Sequence, residues 1–244
     1  MLEAQIACVI NPTIGAALIG VVAGLAALVG NRLEKKRQEF LELRRGIYLA
    51  AADAFSSGIT YLSTMSEPAV TQTQGREILD SVSRVAAKVH IVATRPVVEA
   101  ITTLQHALNV HYRALIVYKR EADELASSLA ENGQIIQRAI QMLQNPPPNH
   151  VQIFGRVQAL QKENRELGAK LHDLHWRMID EWIERQPTLA APISQAVLAV
   201  KKELGINIDA EWYSRMNVVV LQKNSDELRA HLAPFRPPAE HGNK

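Results

Sequence analysis

The chain has 244 residues, a formal net charge of +2 and one cysteine, Cys8. So small a charge bias gives no electrostatic footprint for nucleic acid. A single cysteine excludes an intramolecular disulfide and a zinc cluster built from several thiolates.

The N-terminal region carries the clearest signal. Thr13 to Gly30 holds no charged residue, and Ile6-Ala7-Cys8-Val9-Ile10 lengthens the apolar run, interrupted by Asn11 and Pro12. At about 1.5 Å per residue such a helix approaches the ~30 Å hydrocarbon thickness of a bilayer. The alternative, a buried helix of a bundle, draws on its Ala- and Gly-rich composition. No other segment lacks a polar face, which favours the membrane. A cleavable signal peptide fits poorly, because no basic residue precedes Thr13 and no small-x-small site follows Leu28.

Arg32, Lys35, Lys36 and Arg37 follow the span, with Arg44 and Arg45 a little further on, whereas the leading segment carries only Glu3. Retention of basic residues on the cytoplasmic side predicts a single-pass inner-membrane protein with the N-terminus outside. The four-residue basic cluster is also the candidate contact for anionic lipid headgroups, although Glu34, Glu39 and Glu42 dilute it. Within the span, Ala16, Gly20 and Gly24 recur every four residues, a spacing that lets helix backbones approach closely in lipid. Gly and Ala are common in such spans for other reasons too.

The first cytoplasmic helix is expected to continue from the anchor to about Met65. Leu33, Phe40, Ile47 and Ala54 recur every seven residues, with Leu43 and Ala50 between them. Ser66-Glu67-Pro68 stops it. A second helix, about Gln72 to Ala93, presents Ile78, Val82, Val85, Val89 and Val92. Thr94 is then a candidate N-cap, with Pro96 in the first turn of the next helix.

The third helix, about Val97 to Gln144, keeps a three-four apolar spacing throughout, with Asn132-Gly133 as the one candidate break. The run Asn145-Pro146-Pro147-Pro148-Asn149 ends it. The fourth helix, about Val151 to Gln186, carries the seam Leu160, Leu167, Leu174 with Asn164, Leu171 and Met178. An asparagine in such a seam fixes register at a cost in stability. Beyond Pro187 come a short helix from Pro192 to Leu204, closed by Gly205, and an ambiguous stretch, Trp212 to Leu221. Helix is preferred there because a lone strand has no partner. Residues 234–244 are expected to be disordered.

These readings divide the chain into 1–31 (external N-terminus and anchor), 32–186 (cytoplasmic long-helix bundle), 187–233 (helical appendage) and 234–244 (tail). The fold class is all-α: an N-terminal transmembrane helix followed by an elongated antiparallel helical bundle.

Chemistry is sparse. His172 and His175, three apart on a helix, share a face with room for a metal. Neither Asp173 nor Asp180 completes a ligand set there, and His106 or His111 would have to join from elsewhere. Hydrogen-bonded interfacial histidines are the plainer reading, and no cofactor is expected. His90, His106 and His111 with Tyr112 and Tyr118 have no fixed mutual geometry for acid-base work. The charged runs 119–124 and 161–166 read as solvated faces. Trp212, Tyr213 and the Val218–Leu221 run read as a cap on the bundle's open end. The expected role is a membrane-anchored scaffold, assembly or regulatory protein. It would work through a bilayer, copies of itself or a helical protein partner, with no nucleic acid. A sensor or oligomeric gate is the alternative, and a metal-dependent enzyme on the fourth helix comes third.

Overall fold

The computed structural model describes residues 35–143 and 150–236, and all regular structure among them is helical. Six α-helices are formed: α1 (Lys35–Thr64), α2 (Gln72–Val92), α3 (Arg95–Leu143), α4 (His150–Arg185), α5 (Ala190–Glu203) and α6 (Ala210–Leu232). A 3-10 turn, Gln186–Leu189, joins α4 to α5, and another, Ala233–Phe235, follows α6. Among the described residues no helix is long and apolar enough to cross a membrane. The expected span and its Ala16, Gly20 and Gly24 stripe lie outside the described residues, as do Arg32, Leu33 and the side chains of Lys35, Lys36 and Arg37.

Local chemistry sets the helix ends. Thr71 caps α2: its hydroxyl accepts from Gln74 N at 3.2 Å, and the Gln74 side chain accepts from Thr71 N at 2.8 Å. This reciprocal box satisfies two amides that the first turn leaves unpaired. Asp209 caps α6 with a single bond, its carboxylate accepting from Trp212 N at 2.9 Å. The 212–221 stretch is therefore helical. Gly205 closes α5 at φ +73°, a backbone setting that favours glycine, while Ile206 N bonds back to Lys201 O. Helix α3 runs unbroken through Asn132-Gly133.

The central core joins α1 and α2 to the first half of α3, with Leu189, Ile193, Ala196 and Val200 packed in from the other side. The segment expected as an appendage thus supplies part of the core. On α1 the buried set is Tyr48, Ala51, Ala54, Phe55, Ile59, Tyr61 and Leu62, with Met65 just after it, whereas Phe40 is 49% and Leu43 54% exposed. Of the anticipated heptad set, Ala54 is buried and Ile47 packs against the core, while Phe40 and the intermediate Leu43 face outward, and Leu33 lies outside the described residues. Because α1 packs on two helices, it buries a broader stripe than a coiled-coil seam. Opposite Tyr61, a Cβ at Gly75 would lie 2.1 Å from the tyrosine Oη, so only glycine admits the ring between α1 and α2.

α4, the 3-10 turn and α5 together line α3 in the antiparallel sense. Ala122, Leu174 and Met178 share a cluster with Tyr118, Leu125 and Leu171. Nearer the start of α3, His111 Nε2 lies 3.1 Å from Arg185 O, and Thr94 meets Glu203. Glu203, with its side chain 5% exposed, is the clamp at this end. It takes Arg44 of α1 at 2.8 Å, and it accepts from Thr94 N at 3.1 Å and Thr94 Oγ1 at 2.8 Å. Thr94 therefore spends its hydroxyl on Glu203, and Arg44 is committed to an ion pair within the fold. Burial and the nearby Glu203 carboxylate push the Tyr48 hydroxyl pKa upward.

Removing this carboxylate orphans a guanidinium and an amide. Hydrogen bonds to charged groups contribute about 1.5–3 kcal/mol each, so Glu203→Ala is expected to cost about 2–3 kcal/mol in urea unfolding. Glu203→Gln, which keeps an acceptor for Thr94, is expected to cost less. Equal losses for the two would show that the charge on Arg44 matters more than the bonds to Thr94.

Candidate functional site

Beyond Ala122, α3 buries no residue. From there to Leu143 its cover among the described residues is the first half of α4, forming a two-helix arm of about 21 residues, or ~30 Å. The seam residues Leu160, Asn164, Leu167 and Leu171 are half-buried, and Val157 is the one fully buried residue of α4 before Leu174. Carried along the arm, the register of the 118–178 cluster sets Asn132 level with Asn164. Asn132 Nδ2 and Asn164 Oδ1 are buried with no hydrogen-bond partner among the described residues. Such orphans cost about 1–3 kcal/mol each, so this layer weakens the arm while penalising other registers. At the tip, Ile140, Met142, Val151 and Phe154 are 48–71% exposed.

The base of the arm holds a buried polar cluster. Lys119 is 1% exposed, although its run 119–124 reads as a solvated face in the sequence. Its ammonium lies 3.1 Å from Asp123 Oδ1 and donates to Glu67 O at 3.3 Å. Gln72 Nε2 donates to Asp123 Oδ2 at 2.9 Å. The turn that ends α1 therefore covers Lys119, which no helical periodicity could reveal. The (i, i+4) pairing of Lys119 with Asp123 was the visible signal. Burial raises the Glu67 carboxyl pKa. The Tyr61 hydroxyl, buried without a partner among the described residues, is pushed up to about 12 by burial first, then by Tyr112 and Asp123. Tyr61 also lines an open cleft of about 380 Å³ with Ser56, Ser57, Thr60 and Gln74.

The histidines do not assemble. His172 accepts from Trp176 Nε1 at 3.0 Å and meets that ring edge-on. His175 has partners of its own. His90 lies 3.2 Å from Thr102 Oγ1 on the solvent side, and His106 is exposed. His111 is buried, with Nδ1 2.7 Å from Ala107 O and Nε2 3.1 Å from both Arg185 O and Thr188 Oγ1, so it ties α3 to the end of α4. No group of three or more potential metal ligands occurs among the described residues. The expected core cap splits: Tyr213 is buried, but Trp212 is 52% exposed and Val218 and Val219 face outward. Helix α6 docks instead through Ser225, whose hydroxyl donates to Gln186 Oε1 at 3.1 Å, and through Leu232 against Trp176, Ile179 and Ile183.

No protein family, curated protein or solved structure matches the chain.

Tyr61→Phe removes the orphan hydroxyl and is expected to stabilise the fold at neutral pH by up to about 1 kcal/mol. With the folded pKa at about 12 and the unfolded value at 10, Tyr61 stability is intact below pH 10 and is lost as pH rises through 12. The variant should lose less stability over that range in urea titrations. A clear loss at pH 7 would mean that the hydroxyl has a partner.

Proposed function

We propose that this protein is a membrane-anchored scaffold that works through its helical arm. Residues 13–30 hold the chain in the bilayer, and Arg32, Lys35, Lys36 and Arg37 lie against anionic headgroups on the cytoplasmic face. The compact end of the fold, where Arg44 meets Glu203, stands nearest the membrane. From that end α3 runs away from the surface for 49 residues, about 73 Å at 1.5 Å per residue. The arm then presents its faces and apolar tip to other proteins.

The observation that carries this reading is the arm itself. It extends past every other described helix, with a half-buried seam and large apolar side chains exposed at its tip. Tethering supports the same role, because confinement at a surface raises local concentration and makes weak contacts effective. The polar groups along this part of α3 (buried Lys119 and His111, and half-exposed Asp123) bond to neighbouring backbone and side chains. They read as devices that set the arm's direction.

The anchor is testable by extraction. The full-length chain is expected to stay with membranes through alkaline carbonate treatment. Val22→Arg places a charge at mid-span, at an insertion cost of about 2.5–3.5 kcal/mol, and should release much of the protein. Full-length protein recovered in the soluble fraction would remove the anchor and the orientation together.

A further inference from the structure

The compact end of the fold carries an apolar face that no described helix covers. Arg44 of α1 meets Glu203, the last residue of α5, and Gly205 then reverses the chain toward α6. The reversal, Leu204-Gly205-Ile206-Asn207-Ile208, is apolar, and Ile206 and Ile208 are half-buried. Lys201 Nζ lies 5.3 Å from the Tyr213 ring centroid, which seats the first turn of α6 beside the last turn of α5. Tyr213 is buried, so at 3.6 residues per turn Trp212, Arg215, Met216, Val219 and Lys223 take the outward side. Of these, Trp212 is 52%, Met216 40% and Val219 58% exposed. Carboxylates reach that side only further along the helix, at Asp226 and Glu227. Glu211 stands at the margin, 3.6 Å from Arg215, and Lys223 reaches forward to Glu227 at 3.5 Å.

We infer that this end of the molecule docks on the bilayer that holds residues 13–30, with Trp212 seated among the headgroups. The inference rests on the anchored-scaffold reading and adds a second contact with the same membrane. Reach is the first argument for lipid as the occupant. Helix α1 covers about 14 Å from Lys35 to Arg44, and the five residue steps from Gly30 to Lys35 span at most about 18 Å. The Arg44–Glu203 contact is therefore held within roughly 32 Å of the end of the span, whatever course the link takes. Chemistry is the second. Tryptophan joins a large apolar ring to one N–H donor, which suits the wet boundary of a bilayer. Charge is the third. Lys201 and Lys202 in the last turn of α5, with Arg215 and Lys223, border the apolar face, against Asp209 and Glu211. Asp209 is committed to capping α6. An anionic surface attracts such a border, and the acidic Asp226 and Glu227 lie on the stretch of α6 farther from it. A protein partner would answer the ring and the charge, but the chain itself already holds the bilayer within reach of this face.

Tryptophan fluorescence of the full-length chain in liposomes tests the docking. The vesicles contain phosphatidylglycerol and a brominated phosphatidylcholine, whose bromines quench tryptophan only at close contact. Trp212 is expected to be quenched, and Trp212→Tyr should lose that quenching. The other two tryptophans, Trp176 and Trp182, are 6% and 3% exposed, and none precedes them in the chain. Met216→Glu, at an exposed site, should also lose the quenching and covers the case in which Trp212→Tyr loses helicity by circular dichroism. Lys202→Gln should weaken docking by about fivefold, the scale of one basic residue at an anionic surface, and should change nothing on phosphatidylcholine alone. Wild-type emission untouched by bromine, or quenching that persists in both Trp212→Tyr and Met216→Glu, would overturn the inference. Carbonate extraction reads the anchor separately. A chain that resists carbonate while Trp212 stays unquenched would thus sink the docking and leave the anchored scaffold standing.

Discussion

Helix α3 is 49 residues long, whereas α1 and α2, which pack against it, have 30 and 21. That mismatch governs the molecule. The core buries α3 as far as Ala122, and the remainder must either break or run on with α4 as its sole cover among the described residues. It runs on, through Asn132-Gly133, because the three-four apolar spacing persists on both sides and α4 continues in register. One glycine costs a helix about 1 kcal/mol, too little to outweigh packing that continues past it.

Apolar burial drives the fold, but polar contacts fix how the long helices align. Glu203 joins α1, the α2–α3 turn and α5 at one end of α3. His111 ties α3 to the last carbonyls of α4. Lys119 and Asp123 tie it to the ends of α1 and α2. Glu203, His111 and Lys119 are buried groups given a charged or backbone partner, which offsets the cost of leaving water. They are spaced along the half of α3 that the core covers. The half covered by α4 has the Asn132–Asn164 layer, in which two amide atoms lack partners among the described residues. The molecule is thus firmly registered at its compact end and loosely built at its arm, the part proposed for recognition.

The helices and their ends were largely legible, because long apolar periodicity, the proline run after Leu143 and Gly205 are local signals. The seam of α4 was legible too: Leu174 and Met178 are buried where the sevenfold spacing put them. What escaped were features created by tertiary contact. Phe40 satisfies a heptad, yet it faces solvent with the Arg44 guanidinium 4.5 Å from its ring centroid. Lys119 belongs to a charged run and is buried all the same. Thr94 has the residue type of an N-cap but serves Glu203, 109 positions away. Trp212, bulky and apolar, stays outside because Tyr213 beside it takes the inward position.

An arm held at a fixed distance from a membrane requires that α3 be one rigid rod from the core to the tip. Spin labels at Thr103→Cys and Gln141→Cys, both exposed, in a Cys8→Ser background measure this by pulsed electron resonance. Thirty-eight residues of continuous helix set the backbone separation at ~57 Å. A narrow distribution near that value is the expected result. A broad distribution, or one centred well short of it, would mean that α3 bends at Asn132-Gly133 and that the arm is not an arm.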